Sequence, residues 1–276
     1  MTDLLRRLLR TPQGAIGSAL LVLLALLCLL GPELAPRDPE AIDFLGRFRP
    51  PGAQNWLGAD QLGRDVLSRL MTGARSTIPL ALLATLLGTL AGAVIGTLSA
   101  YLGGRWDEAI MRNVDAVMAI PGLLLALLLV SSLGKGSLNA TLAIAIAFTP
   151  GMARVTRSVA LNVRAQDYVK AALARGEHAS FIVLREMLPN VVGPVVVETT
   201  IRVAFAVMLF ATLSFLGLGA QPPAPEWGLM VAEARRFVHQ APWIILAPAL
   251  AIGVTAIAFN LLGDGLRDAL NPRDER

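Results

Sequence analysis

The chain is 276 residues long, 55% of its residues are hydrophobic and only 16% are charged. This composition is rare among soluble domains, whose surfaces carry many more charged side chains. The net charge of +4 invites a nucleic-acid interpretation, but the basic residues are scattered and form no run or stripe along which a phosphate backbone would lie. The composition therefore favours an integral membrane protein. Because the basic residues are scattered, we predict no nucleic-acid partner.

The residue types that hold metals or act as nucleophiles are few and far apart. Cys28 is the only cysteine, and His178 and His239 are too distant in sequence to predict a ligand cluster. A GxxxxGK[ST] phosphate loop is also missing, since Lys135 is followed by Gly136 and no glycine-rich stretch precedes it. We therefore predict that this chain has no metal site, no cofactor and no catalytic activity of its own.

Stretches without Asp, Glu, Lys or Arg define the predicted membrane spans. A membrane helix needs roughly 20 mainly apolar residues, because every backbone group in lipid must bond within its own helix. Six stretches meet this requirement and predict an all-α, polytopic membrane protein. They are 11–32, 76–104, 116–134, 136–153, 203–225 and 237–263.

The distribution of basic residues predicts the orientation. Six spans place both termini on one side, and fifteen of the 24 Lys and Arg residues fall on that side, which is typical of the cytoplasmic side. A cleaved secretory signal is the alternative for the first span, but its apolar run is long and no A-x-A-like site follows it. The predicted order is a cytoplasmic N-terminus at 1–12, a first span at 13–32, an extracytoplasmic loop at 33–75, a core of five spans at 76–267 and a cytoplasmic tail at 268–276.

The loop before the second span changes character near its end. From Asp60 onward, Leu62, Val66 and Leu70 fall on one helical face. This pattern predicts an amphipathic helix that starts at Asp60 and lies at the outer surface before the second span.

Glycine and proline residues predict how the spans pack and bend. Gly88, Gly92 and Gly96 form two overlapping small-xxx-small steps, which allow another helix to approach closely. The alternative is that glycine is simply frequent in membrane helices. Pro121 and Pro150 fall inside predicted spans, where each removes a helical hydrogen bond and permits a kink.

The segment 164–190 is too polar to cross the membrane, yet it is helical in pattern. Two short helical stretches are separated by Gly176, and we expect the second to end at Pro189. Glycine permits a left-handed turn at a helix end, and the small Ala171 and Ala172 leave room for a partner. The pattern predicts a helix-turn-helix surface on which another protein docks. An amphipathic surface helix without a partner is the alternative.

Three parts of the chain carry a resemblance to a known family. Ala171-Ala172, then Gly176, then Leu188-Pro189-Asn190 resembles the EAA loop of importer-type ABC transporter permeases. Other stretches resemble the second permease subunit of dipeptide, oligopeptide and nickel importers, and the resemblance extends from about residue 12 to 273. These stretches are 56–70, 213–219, 226–228 and 258–270.

The resemblance implies a type I importer permease with MetI-like architecture in the bacterial inner membrane. It also implies several partners: a second homologous permease, two ABC ATPase subunits that bind ATP and magnesium, an extracytoplasmic binding protein and the lipid bilayer. Two sets of site residues follow from it. The ATPase-docking loop would contain Lys170, Ala171, Ala172, Gly176, Glu186, Leu188 and Pro189, and the extracytoplasmic motif would contain Asp60, Gly63, Arg64, Asp65 and Arg69.

Three residues depart from the family pattern. Lys170 stands where the loop usually has an acidic residue, Glu186 stands where a histidine is common, and Phe210 stands where we expect a glutamate. We expect the first two to select an ATPase surface of altered charge.

Polar groups at membrane depth are costly, so they are candidates for the translocation path. Glu198 and Arg202 are spaced i, i+4 and can pair with each other, which leaves a self-neutralising helix-end pair as the alternative role. Ser214 and Asn260 are the other candidates, and a hydrogen bond to the backbone of a neighbour is the alternative role of each.

Short peptides, including dipeptides and glutathione-like molecules, are the predicted substrates from the resemblance, and nickel or a metal chelate is the alternative. A secondary transporter driven by an ion gradient is the rival from another class. It would predict inverted repeats and ionisable residues near mid-membrane, and we find neither in the sequence.

Overall fold

The structure is a computed structural model that describes residues 2–270, so residues 271–276 of the predicted cytoplasmic tail lie outside it. Within this range, five helices are long and apolar enough to cross a membrane. The all-α, polytopic prediction is confirmed. The five long helices are α2 (Pro12–Leu34), α3 (Val66–Leu102), α6 (Ser137–Arg164), α9 (Leu188–Phe215) and α11 (Trp243–Leu270).

Shorter helices precede, connect or flank the long ones. They include an amphipathic helix at the N-terminus, two helices on either side of a sharp bend, and several turns of helix in the connecting segments. They are α1 (Thr2–Arg10), α4 (Gly104–Met118), α5 (Gly122–Leu133), α7 (Asp167–Ala174), α8 (Ala179–Phe181) and α10 (Trp227–Ala234), with a π-helical stretch at Ile182–Met187 and 3-10 turns at Phe44–Gly46 and Arg235–Phe237.

The glycines of α3 form its contact surface with α6, which is its main packing partner. A Cβ atom on Gly92 would lie 2.5 Å from Met152 Cβ, and one on Gly88 would lie 2.7 Å from the Ala145 carbonyl oxygen. The same face continues at Gly96. Because any side chain here would push the two backbones apart, the prediction of close packing is confirmed.

The third predicted span is broken. Residues 116–134 contain the end of α4, a bend of 86°, and α5, which is only 12 residues long. The kink that Pro121 was predicted to permit is therefore present, and α4 and α5 together count as a sixth, bent span that begins before residue 116. Pro121 explains the break, because proline disfavours helical backbone at the residue before it. Residues 134–136 then connect α5 to α6 in a tight hairpin.

The predicted amphipathic helix starting at Asp60 is also wrong in its start and its extent. The backbone turns between Asp60 and Asp65, and α3 begins at Val66. Asp65 caps this helix, since its Oδ2 accepts a hydrogen bond from the Ser68 N–H at 2.8 Å. The amphipathic stretch and the second span therefore form one helix of 37 residues.

The last two predicted spans are displaced along the chain. We predicted 203–225 and 237–263, whereas α9 ends at Phe215 and α11 begins at Trp243. The charge-free criterion missed the first half of α9 because Glu198 and Arg202 lie inside that helix. The residues between α9 and α11 form a connecting segment that contains α10.

Candidate docking surface and translocation cavity

Helix α7 covers the first helical stretch of the predicted docking loop and ends in a glycine turn. Gly176 has φ of +73°, and a Cβ atom there would meet nothing within 4 Å, so backbone conformation and not crowding favours glycine. Its N–H donates to the Leu173 carbonyl at 3.0 Å, and the Glu177 N–H donates to the Ala172 carbonyl at 3.2 Å. These two bonds satisfy carbonyl groups that the helix end leaves open.

Ala172 does not face a partner. Val169 and Ala172 are fully buried and pack in a cluster with Ala160 of α6 and with Ile182 and Met187 of the π-helical stretch. Val169 and Ala172 are spaced i, i+3 on the helix, so both lie on the face that packs against the rest of the chain. The prediction that Ala172 contributes to docking is therefore corrected, because its side chain belongs to the internal core.

The opposite side of α7 is exposed. Lys170 and Ala171 lie there, and Ala174 lies beside them. Tyr168 and Leu173 flank this surface and are 41% and 42% exposed. Sequence analysis missed Leu173 and Ala174, although the helical period that places Ala172 inside also places Ala174 outside. We define the docking face as Tyr168, Lys170, Ala171, Leu173 and Ala174.

Pro189 does not end the second helical stretch, contrary to our prediction. The helix continues from the π-helical stretch into α9, and the Leu188 N–H donates to the Val183 carbonyl five residues earlier. This wider turn shifts the hydrogen-bond register of the helix just before Pro189, which has no N–H to donate. The Asn190 side chain then donates to the Glu186 carbonyl at 2.6 Å. Leu188 and Glu186 are half-buried, and Pro189 is exposed.

The two residues that depart from the family's usual charges, Lys170 and Glu186, lie at the same end of the molecule as α7. Lys170 Nζ is 3.1 Å from Asp167 Oδ1, but both side chains are exposed and remain accessible to a partner. Partial burial raises the pKa of the Tyr168 phenol, and the negative charge of nearby Glu186 raises this pKa further. Glu186 therefore lies close to the docking face, although it is distant from the docking-face residues in sequence.

Glu198 and Arg202 form the predicted i, i+4 pair, with Oε1 and Nη2 2.9 Å apart. Glu198 lines two neighbouring cavities of about 400 and 500 Å³. Arg202 lines the first, where its guanidinium lies 5.8 Å from the ring centroid of Phe148. Phe205 and Met208 contribute apolar surface to the same cavity. The pair thus places both signs of charge beside a first cavity whose lining is otherwise mostly apolar.

The other two pathway candidates lie elsewhere. Ser214 is fully buried, and its Oγ accepts a hydrogen bond from the Ala220 N–H at 3.2 Å, so it supports the turn after α9. This position contradicts a pathway role for Ser214. Asn260 is exposed on α11 but does not line either cavity beside Glu198, so its role stays a prediction.

The residues of the predicted extracytoplasmic motif form a buried cluster of charges. Arg64 Nε lies 2.6 Å from Asp60 Oδ2, and Arg64 Nη2 lies 2.8 Å from Glu233 Oε2. Arg69 Nη2 is 3.3 Å from the same Glu233 oxygen. The Arg64 and Arg69 side chains are only 3% and 1% exposed. We call Asp60, Arg64, Arg69 and Glu233 the outer ion-pair cluster, and sequence analysis missed Glu233.

The remaining motif residues shape the backbone around this cluster. Gly63 has φ of +79°, and a Cβ atom there would collide with the Asp43 backbone. Asp65 Oδ1 accepts a hydrogen bond from Asn55 Nδ2 at 2.7 Å, while its other oxygen caps α3. Both residues therefore hold the turn that brings the arginines to Glu233.

Another buried carboxylate, that of Glu226, starts α10. Glu226 accepts hydrogen bonds from the N–H groups of Gly228 and Leu229, each at 2.8 Å, and from Thr77 Oγ1 at 3.2 Å. Burial raises the pKa of Glu226, and these hydrogen bonds oppose that shift. The adjacent Trp227 is fully buried and its Nε1 donates to the Leu70 carbonyl at 2.9 Å. The motif residues 226–228 therefore attach α10 to α3.

Comparisons with known proteins agree with this architecture. The family described as binding-protein-dependent transport system inner membrane component matches residues 85–275. The family described as N-terminal TM domain of oligopeptide transport permease C matches residues 1–51. A chain of the inward-facing MetNI methionine ABC transporter superposes with a TM-score of 0.60 at 17% identity, covering 74% of this chain and 97% of that one. At that identity the likeness concerns the fold alone.

Two relatives are similar over almost their whole length. The probable D,D-dipeptide transport system permease protein DdpC of Escherichia coli (strain K12) is 40% identical over 263 residues, which covers 95% of this chain and 88% of the relative. The glutathione transport system permease protein GsiD of Escherichia coli O6:K15:H31 (strain 536 / UPEC) is 41% identical over 269 residues, covering 97% and 89%. The chain therefore belongs to the family of inner membrane components of binding-protein-dependent transport systems, as a multi-pass permease of the dipeptide and oligopeptide ABC importer type.

Proposed function

We propose that this permease pairs with a second, homologous permease to form the path by which short peptides enter the cell. The observation that carries the proposal is the Glu198–Arg202 pair beside a cavity of about 400 Å³. A short peptide carries one ammonium and one carboxylate group, and a paired acid and base can offer a partner to each. The apolar remainder of the lining tolerates different side chains, which suits a family of substrates.

The relatives support peptides as the substrate class, because one is named for D,D-dipeptide transport and another for glutathione transport. Nickel or a metal chelate is the second candidate. In the part of the chain that the structure describes, no group of three or more His, Cys, Asp or Glu residues could hold a metal ion. A chelate would be bound through its organic part and would not need such a group.

The docking face is the proposed contact with an ABC ATPase. Its small central residues, Ala171 and Ala174, give a flat surface, and the exposed Tyr168 and Leu173 give it apolar edges. Exposed apolar side chains next to each other are typical of protein contacts. We propose two such ATPase subunits, one under each permease, and they would bind the ATP and magnesium, while this chain performs no catalysis.

This arrangement requires α7 to lie in the cytoplasm, which places both termini there. The outer ion-pair cluster then faces the opposite side, where a binding protein would deliver the substrate. ATP-driven closure of the ATPases would move α7 and shift the attached helices between inward-open and outward-open packings.

Reconstitution tests the proposal. The chain would be purified with its second permease and ATPases, placed in proteoliposomes with internal ATP, and supplied with binding protein and labelled dipeptide. We expect uptake that requires ATP and is reduced by unlabelled short peptides. Uptake of nickel without peptide uptake would favour the second candidate. Uptake driven by an ion gradient without ATP would overturn the proposal in favour of a secondary transporter.

A further inference from the structure

Helix α6 presents three arginines on one side. Arg154, Arg157 and Arg164 are three and seven residues apart, spacings that keep side chains on the same helical face. Arg157 Nε donates to Asp107 Oδ1 of α4 at 2.6 Å, and its Nη2 donates to the other oxygen, so the contact is bidentate. Asp107 is buried and also accepts a hydrogen bond from Ser99 of α3.

Two further contacts extend this side of α6 along α4. Arg154 pairs with Asp115, two turns beyond Asp107, although both side chains are more than half exposed. Arg164 lies over the junction between α3 and α4, where a Cβ atom on Gly103 would be 2.6 Å from its Nη1. Because Arg154 and Asp115 are solvated, their contact contributes little free energy and mainly aligns α6 with α4. The bidentate contact of Arg157 with Asp107 is therefore the principal link between the two helices.

These contacts lie between the docking face and the cavity. Only Ala165 and Gln166 separate α6 from α7, and the bend after α4 leads directly into α5. Gly122 and Leu123, at the start of α5, line the cavity that Arg202 also lines. A continuous route of side-chain contacts and short chain connections therefore runs from α7 through α6 and α4 to α5.

We propose that Asp107 and Arg157 act as positioning residues that make α4 and α6 one rigid unit, so that movement of α7 displaces the start of α5 at the cavity. This inference rests on the proposed function, because it assumes that an ATPase moves α7. Rotation of a rigid unit relative to α9 would move Gly122 and Leu123 relative to Arg202, which changes the shape of the lining. A link between two sites requires an element whose position both of them bias.

Helix α4 also offers a matched control. Glu108 and Arg112 form an i, i+4 pair on α4 with side chains 68% and 79% exposed. They have the same charges as Asp107 and Arg157, but both belong to α4, so their pairing does not connect two helices. If substitutions act by changing the charge or the helicity of α4, variants of both pairs would therefore be affected. If they act by breaking the link to α6, only variants of Asp107 and Arg157 would be affected.

Distance measurements on the complete transporter test the rigid unit directly. Cys28 would be replaced by alanine, and spin labels would be placed at the exposed residues Asn113 of α4 and Asn162 of α6. A second pair would join Asn162 to the exposed Asp264 of α11. We expect the distance between Asn113 and Asn162 to be the same without nucleotide and with trapped ATP, while the distance between Asn162 and Asp264 changes. A change of equal size within the first pair would overturn the proposal.

Variants then test whether the link serves transport. We expect Asp107→Asn and Arg157→Gln to retain ATP hydrolysis but to lower peptide transported per ATP by about twofold to thirtyfold, the range typical of residues along a coupling route. The charge exchange Asp107→Arg with Arg157→Asp should restore this ratio at least in part. The control variants Glu108→Gln and Arg112→Gln should leave it unchanged.

The outcomes separate this inference from the proposed function. If neither label pair responds to ATP, then ATP does not move this permease, and the proposed function fails together with the inference. If the second pair responds and the Asp107→Asn transporter keeps the normal ratio, only the inference fails. The label experiment leaves the ion pair of Asp107 and Arg157 intact. It therefore tests whether α4 and α6 move as one unit even if the Asp107→Asn variant does not fold.

Discussion

The two ends of this permease treat charged side chains in opposite ways. At the outer end, Arg64, Arg69 and Glu233 are brought together and largely removed from solvent. At the α7 end, the pairs of Lys170 with Asp167 and of Arg175 with Glu177 remain on the surface. The outer end satisfies its charges within the chain, whereas the α7 end leaves groups accessible to another protein.

The difference has an energetic consequence. Removing one member of a buried ion pair leaves an unpaired charge in a poorly solvated place, which is strongly destabilising. Exposed pairs contribute little to stability, because water already solvates their members. Substitutions of the charged residues at the outer end should therefore change the stability of the permease, and substitutions of the exposed charged residues at the α7 end should change its assembly with partners.

The largest expected effect is at Arg69. Truncation by Arg69→Ala leaves Glu233 without one partner and opens buried space, and we expect a loss of about 3 to 5 kcal/mol of stability, the range for broken buried pairs. Thermal unfolding of the purified permease pair in detergent measures it. Arg112→Ala, which removes an exposed arginine, is the control and should leave the midpoint unchanged. Equal midpoints for both variants would show that the outer ion-pair cluster is not stabilising.

A smaller effect should distinguish the two neighbouring alanines of α7. Ala172→Leu forces extra volume into a filled core, and we expect a loss of about 1 to 3 kcal/mol of stability. Ala171→Leu adds the same atoms to the docking face, so it should leave unfolding unchanged but reduce the ATPase that copurifies with the permease. If Ala171→Leu destabilised the permease and left ATPase binding intact, the assignment of the two faces would be reversed.

Gly176 should show a still smaller effect. Its left-handed backbone costs about 1 to 2 kcal/mol for a residue with a Cβ atom. Gly176→Ala should lower stability by that amount or loosen the end of α7, with no clash because the surrounding space is open. Hydrogen exchange of the α7 amides is the measurement. Unchanged exchange would mean that the turn does not depend on glycine.

The smallest effect on stability is expected for the charge exchanges at Lys170 and Glu186. Exposed pairs contribute less than about 1 kcal/mol, so Lys170→Glu should leave the unfolding midpoint nearly unchanged. Glu186→Lys should also change the midpoint little, because the half-buried Glu186 side chain remains partly solvated. Each variant should weaken binding of the native ATPase, measured by copurification from membranes at low and high salt. Normal assembly of both variants would remove the proposed role of these charges in partner selection.

Local patterns predicted most of the fold. Apolar stretches located the long helices, and the glycines of α3 predicted the close contact with α6 that Gly92 and Met152 show. Pro121 predicted a kink at this place, but the sequence did not predict that the bend would reach 86°. Charge-free stretches also misplaced α9, because Glu198 and Arg202 neutralise each other within that helix.

The candidate site was predicted only in part. Residues that act locally, such as Gly176 in its turn and Glu198 with Arg202, follow from spacing along one helix. The role of Ala172 was mistaken because the interpretation considered its size and did not consider its helical face. For Ser214 the sequence left two roles open, because a hydroxyl in a membrane helix can bond to nearby backbone as well as line a path, and the structure shows the first.

The amino-acid sequence by itself determined the all-α membrane class, the long apolar helices and the glycine turn after α7, since each depends on residues within a few turns of one another. Only the tertiary structure decided that Arg69 meets Glu233, 164 residues away, and that Arg157 of α6 holds Asp107 of α4. The physical reason is that a helical period reveals which face of a helix is apolar. Which distant charge lies opposite that helix depends on how the whole bundle packs.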